Sequence, residues 1–160
     1  MVADMQWVQI ERTFDSSIEV VWQMWTDPDL FKQWYGPNGM TVTYVEIHLE
    51  VGGKRKVCMQ MESSENSMAM WFIGEFKEVN PPTRLVYTES MCDEDENILS
   101  AESMGMPSDH PDTTEVIIEL SEKGSGTALK LTHVGVPADS GGAGGWSQAL
   151  EKLAALAAAS

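Results

Sequence analysis

The chain has 160 residues, 42% hydrophobic and 22% charged, with a formal net charge of −15 at pH 7. That length suffices to bury a core without staples, and the composition fits a globular protein folded as one domain over residues 1–160. Residues 85–122 contain no Lys or Arg, and so acidic a face repels phosphate backbones and anionic headgroups, which argues against nucleic-acid and membrane partners.

No apolar run is long enough to cross a bilayer. The start, "MVADMQWVQIERTF", has neither a basic n-region nor a continuous apolar stretch, so no signal peptide is expected and the cytoplasm is the expected location. Cys58 and Cys92 lack metal-type spacing and are expected as reduced thiols.

In chain order, "MQWVQIERTF" alternates as a strand, with Val8 and Ile10 on one face. "DSSIEVVWQMWTDP" reads as a helix capped by Asp15 or Ser16, with Ile18, Val21, Trp22 and Trp25 on its apolar side. "DPDLFKQWYG" predicts a second short helix, capped by Asp27, opened by Pro28 and stopped by Gly36. From Met40 the period becomes that of a strand. "MTVTYVEIHLEV" places Val42, Tyr44, Glu46 and His48 on one face, and "GGKRKVCMQMES" sets Arg55, Val57, Met59 and Met61 on one face. "SSENS" is a hairpin loop. "MAMWFIGEFKEV" is a strand whose Gly74 predicts a bulge or a close approach, and "NPPT" turns into the strand "RLVYTESM". "CDEDENILSAESMGMPSDHPD" is a long loop, and "TTEVIIELSEKGSGTALKLTHVGV" is a hairpin around "KGSG". Finally "PADSGGAGG" reads as a glycine hinge before the helix "GWSQALEKLAALAAAS", striped by Trp146, Leu150, Leu153 and Leu156 or Ala157.

Taken together these predict an α+β fold. A curved antiparallel sheet of about six or seven strands grips one long C-terminal helix, and two short helices follow the first strand. In order along the chain, "WYGPNGMTV", "VGGKRKV", "GEFKEVNPPTRLVYTES", "GTALKLTHVGV" and "GGWSQALEKL" resemble the activator-of-heat-shock-protein-90-ATPase-like domains. These belong to the START, polyketide-cyclase and Bet v superfamily with its helix-grip fold, and the resemblance runs from about Trp7 to Ala157. It implies a cavity between sheet and last helix, suited to a small lipophilic ligand. The sequence departs from the common pattern at His48, Glu50 and Arg55.

The candidate ligand-binding residues are Trp34, Tyr44, Arg55, Val57, Met59, Phe72, Phe76, Tyr87, His133, Trp146 and Leu150. Trp34 and Tyr35 stand either at the cavity mouth or as plugs of the core. Arg55 either points inward, where a guanidinium needs a carboxylate or a ligand anion, or snorkels past the strand end. His133 either faces the cavity or is a satisfied strand-end histidine. The methionines Met59, Met61, Met68 and Met70, with Met104 and Met106 in the long loop, suit an adaptable apolar pocket or ordinary core filling.

Signatures of chemistry are scarce. There is no nucleophile elbow, phosphate loop or dinucleotide fingerprint, and "DEDEN" fails as a calcium loop because Ile98 and Met104 stand where Gly and Glu are needed. No catalytic residue, cofactor or metal is assigned. The favoured reading is binding of a small hydrophobic or aromatic molecule by a monomer or homodimer. A co-chaperone-like domain acting through its surface on a chaperone partner is the alternative, and a cyclase or hydrolase using the same cavity is the second.

Overall fold

The computed structural model describes residues 7–36, 39–61, 69–100, 112–138 and 142–159. The elements are β1 (Trp7–Phe14), α1 (Ile18–Thr26), α2 (Pro28–Phe31), β2 (Met40–Ile47), β3 (Lys54–Met61), β4 (Ala69–Asn80), β5 (Arg84–Cys92), β6 (Thr113–Lys123), β7 (Gly126–Pro137) and α3 (Gly142–Ala158). Among the described residues seven strands form one sheet in the order β1-β7-β6-β5-β4-β3-β2, every neighbouring pair antiparallel. The sheet curls as a half-barrel around α3, the helix-grip arrangement expected from the sequence.

Burial follows the two periodicities. Along β5, β6 and β7 the residues Leu85, Tyr87, Val116, Ile118, Leu120, Leu129 and Leu131 alternate into the core, because successive strand side chains take opposite faces. From α3, Trp146, Ala149, Leu150, Leu153 and Ala157 meet them, a stripe at helical spacing. The fourth position of that stripe is Ala157; Leu156 is only partly buried.

The helical caps differ in detail from expectation. Ser17, rather than Asp15 or Ser16, caps α1, its hydroxyl accepting from the Val20 amide. Asp27 caps α2 by accepting from the Asp29 and Leu30 amides. α2 is a single turn ending at Phe31, and residues 32–34 continue as a turn. Here Trp34 leaves the helical stripe to bury its ring completely, its indole N–H donating to the Met24 carbonyl at 2.8 Å. At the other end of the chain Gly142, Gly144 and Gly145, expected within a hinge, are helical, since α3 begins at Gly142.

Two sheet irregularities matter for the site. The first is a register shift in β2 between Val42 and Tyr44, which pair with Met59 and Cys58. One extra residue there reverses the alternation. Val42, Val45 and Ile47 consequently pack on the core, whereas Tyr44 turns outward, 43% exposed. The second is at Gly74, where an added Cβ would lie 1.8 Å from the Thr88 carbonyl oxygen. β4 and β5 approach so closely there that any side chain would force them apart, and the pairing slips between Phe76 and Glu78 just beyond.

Candidate functional site

The concave face of the sheet and the N-terminal turns of α3 line a cavity of about 160 Å³ that opens to solvent, walled by Tyr35, Met59, Trp146 and Ala149, with Glu89 and His133 as its polar residues. Each wall has a local cause. Gly36 takes φ +93°, which ends the turn after α2 and lays Tyr35 over the opening. A Cβ at Gly36 would come within 2.7 Å of Met59 Sδ, so the thioether packs directly on the backbone there. The small residues Gly145 and Ala149 leave the space that Trp146 and Met59 flank.

Behind Glu89 lies a buried polar cluster. Arg55 is 2% exposed and sends Nη1 to Glu89 Oε2 at 3.2 Å. Its guanidinium lies 3.8 Å from the Tyr87 ring centroid and 5.1 Å from those of Tyr35 and Phe31, a cation stacked among aromatic faces. Tyr35 donates to Glu89 Oε2 at 3.2 Å, and the two phenol oxygens of Tyr35 and Tyr87 are also 3.2 Å apart. With the Tyr35 proton committed to the carboxylate, Tyr87 is the donor of that second bond. Burial first, and then the negative charge of Glu89, raises the Tyr35 phenol well above its ordinary value. Burial likewise raises that of Tyr87, against the opposing pull of Arg55. Both tyrosines are therefore neutral donors at pH 7.

A second chain of hydrogen bonds ties α3 to the sheet. Trp146 Nε1 donates to His133 Nδ1 at 3.0 Å, and His133 Nε2 lies 2.8 Å from Thr114 Oγ1, which in turn donates to the Glu89 carbonyl oxygen at 3.2 Å. An indole can only donate, so Nδ1 must be the acceptor and the imidazole is neutral with its proton on Nε2. Both ring nitrogens are thus engaged within the protein, and His133 positions Trp146 rather than offering a free base.

The candidates read from sequence divide into four groups. Met59, His133 and Trp146 line the cavity. Arg55 and Tyr87 stand one layer behind it, Arg55 pointing inward with the carboxylate partner that such a position demands. Trp34, Val57, Phe72, Phe76 and Leu150 are packed core residues, so of the aromatic pair Trp34 is the plug and Tyr35 the cavity wall. Tyr44 is a correction: the β2 bulge puts it on the convex face, against Trp71 at 5.7 Å and bonded to Glu46 at 2.8 Å.

Glu89 is the residue that reading the sequence missed. Its signal is present, since "LVYTES" alternates Leu85, Tyr87 and Glu89 onto one face, but within an acidic run nothing local marks which carboxylate turns inward. Met61, expected inward, is 43% exposed at the end of β3, while Met70 is partly buried on the core. Met68, Met104 and Met106 lie outside the described residues. Within "DEDEN" the Asp93 carboxylate accepts from the Asp95 and Asn97 amides and from Asn97 Nδ2, so the turn satisfies its own carboxylate. Cys58 and Cys92 are free and buried. Among the described residues no helix is long and apolar enough to cross a membrane, and no group of His, Cys, Asp and Glu is arranged to hold a metal.

Several solved structures share this architecture. A solution structure of a protein from Arthrobacter aurescens superposes with a TM-score of 0.79 at 20% identity, covering 100% of this chain and 90% of that one. A Chromobacterium violaceum protein gives 0.76 at 24% identity, with 94% and 95% covered. The AHSA1 protein from Silicibacter pomeroyi gives 0.73 at 22% identity, with 95% and 97% covered. None of the curated proteins matches the chain. At those identities the likeness is one of fold. The sequence itself matches, over residues 15–158, the family model described as Activator of Hsp90 ATPase homolog 1-like protein, and the chain belongs to that family.

Proposed function

We propose that the protein binds a small hydrophobic or aromatic molecule in the cavity between the sheet and α3. The observation that carries this reading is the cavity of about 160 Å³, its apolar walls from Tyr35, Met59, Trp146 and Ala149 closed at one end by a carboxylate. Concave, mostly apolar sites with a few placed polar groups are the usual form of a small-molecule site. This one is small: an apolar cavity of about 150 Å³ accommodates benzene, so a single ring fits and a full-length fatty acid does not. Recognition by binding is favoured over catalysis because His133 uses both ring nitrogens internally and the Glu89 carboxylate is already engaged by Arg55 and Tyr35 through one oxygen.

The test follows tryptophan fluorescence and melting temperature while benzene and toluene are titrated. Trp146 in the cavity wall should report saturation, and at a ligand concentration a hundredfold above Kd the fold should gain about 2.7 kcal/mol. An Ala149→Leu variant, whose larger side chain occupies the cavity, should keep its fold and lose the response. A flat response in the parent protein, or an undiminished one in the variant, refutes the reading.

A second reading is a co-chaperone-like domain that meets a chaperone through its surface. Two observations favour it: the family's description, and the β2–β3 turn, where Val51 is 69% and Leu49 38% exposed. That reading predicts that Val51→Glu abolishes the association while cavity-filling Ala149→Leu leaves it intact.

A further inference from the structure

The cavity's polar end is half used. Glu89 Oε2 takes the bonds from Arg55 Nη1 and Tyr35 Oη, whereas Oε1 accepts no hydrogen bond among the described residues. The Glu89 side chain keeps 12% of its surface accessible and lines the cavity. Arg55 does not line it and is 2% exposed, so the carboxylate stands between the guanidinium and any occupant. The backbone of Glu89 is pinned as well, its carbonyl taking the Thr114 hydroxyl at 3.2 Å. What an occupant meets is therefore one fixed, acceptor-only oxygen at the end of an apolar chamber.

The charges restrict the occupant further. The acceptor belongs to a carboxylate whose charge is balanced by Arg55 at 3.2 Å. An anion would face Glu89 with the guanidinium screened behind it, and would lose its hydration on entering apolar walls. A cation would also be stripped of water, and would meet a carboxylate already paired. A neutral donor loses least and gains a charge-assisted bond. We infer that the cavity selects neutral, single-ring molecules carrying one hydrogen-bond donor, phenols being the fitting class, with Glu89 Oε1 as the accepting atom. This rests on the cavity-binding reading above and adds its chemical selectivity.

Four probes of one size separate the possibilities: toluene, p-cresol, p-toluate and 4-methylbenzylammonium, each titrated calorimetrically at pH 7. The expected order puts p-cresol about tenfold or more tighter than toluene, the worth of one hydrogen bond to a charged acceptor, with both ions weaker than toluene. Equal affinities for toluene and p-cresol, or tighter binding of either ion, would overturn the selectivity while leaving the cavity reading standing. Binding of none of the four would remove both. In Glu89→Gln, which keeps shape and an acceptor but leaves Arg55 unbalanced, p-cresol should weaken and p-toluate should gain. An unchanged ranking there overturns the assignment to Glu89. If that variant does not fold, the parent series decides alone.

Discussion

Arg55 and Lys56 are consecutive residues of β3, and each is paired with a glutamate, yet they occupy different physical worlds. Arg55 points to the concave face, 2% exposed, with Glu89 at 3.2 Å and aromatic rings stacked around it. Lys56 points to the convex face, where it and Lys54 reach the same oxygen of Glu96 at 3.1 and 3.0 Å. Glu96 belongs to the turn after β5, so that contact clasps a loop to the outside of the sheet. Inside, two charges have given up water and depend on each other. Outside, Lys56 is covered by the Trp71 ring, but Lys54 and Glu96 keep 42% and 35% of their side chains accessible, so water and salt reach that pair. The inner pair sets the charge behind the cavity's polar end, and the outer pair fastens a loop.

Removing one partner tests this difference most severely. Glu89→Ala leaves the Arg55 guanidinium buried and unbalanced, a change that costs about 3–5 kcal/mol, a large share of the roughly 5–15 kcal/mol that holds a domain folded. Urea unfolding should show the loss directly. Arg55→Met combined with Glu89→Leu, which removes both charges and keeps the volume, should recover much of it. A double variant as unstable as Glu89→Ala would show that packing, rather than the unpaired charge, sets the cost.

The three tyrosines extend the comparison to pH. Tyr44 lies on the outer face, where its bond to Glu46 raises its phenol; Tyr35 and Tyr87 lie inside, raised chiefly by burial. A phenol whose folded value is raised holds its proton more tightly in the native state. The stability it lends is complete below the unfolded value, about 10, and is lost as pH rises above it. Absorbance titration of the phenolate band should therefore show one tyrosine ionising reversibly in the folded protein and two ionising only as circular dichroism reports unfolding. Three phenols titrating together before unfolding would mean that the inner cluster is open to water. Arg55→Met should leave Tyr44 unchanged while altering the onset of the other two.

The extent to which these features could be read from sequence depended on how far each followed a local rule. Arg55 alternates with Val57 and Met59 along an uninterrupted strand, which made inward one of its two readings and a carboxylate the condition of it; the pair with Glu89 selects that one. Tyr44 was misplaced because a bulge has no mark in "MTVTYVEI": one extra residue between Val42 and Tyr44 reverses every later side chain. Gly142 to Gly145 read as a hinge because glycine disfavours helix, yet packing of Trp146 and Ala149 against the cavity extends α3 through them. Glu89 and Glu96 looked alike in an acidic run. Only the sheet's curvature and the loop's return over its back assign one to the inside and the other to the outside. The strands and the gripping helix followed from periodicity, whereas the order of the strands in the sheet and the identity of the polar group in the cavity required tertiary contacts.

Glu96 provides the smallest and most discriminating test. Its hydrogen bonds to Lys54 and Lys56 hold its carboxyl below the usual range, so its contribution is present above the unfolded carboxylate value, about 4.3, and disappears as pH falls through the lower folded one. Exposed pairs are weak and screened by salt. Glu96→Gln should lower the melting temperature only slightly at pH 7 and low salt, and not measurably in molar salt or below the carboxylate range. The backbone adds an opposing contribution, since Glu96 sits at φ 71°, a conformation natural to glycine and strained for other residues. Glu96→Gly loses the same ion pairs but relieves that strain, and should melt at or above the temperature of Glu96→Gln. A glycine variant that melts well below the glutamine one would mean that the aliphatic stem of Glu96, rather than its charge, fastens the loop to the sheet.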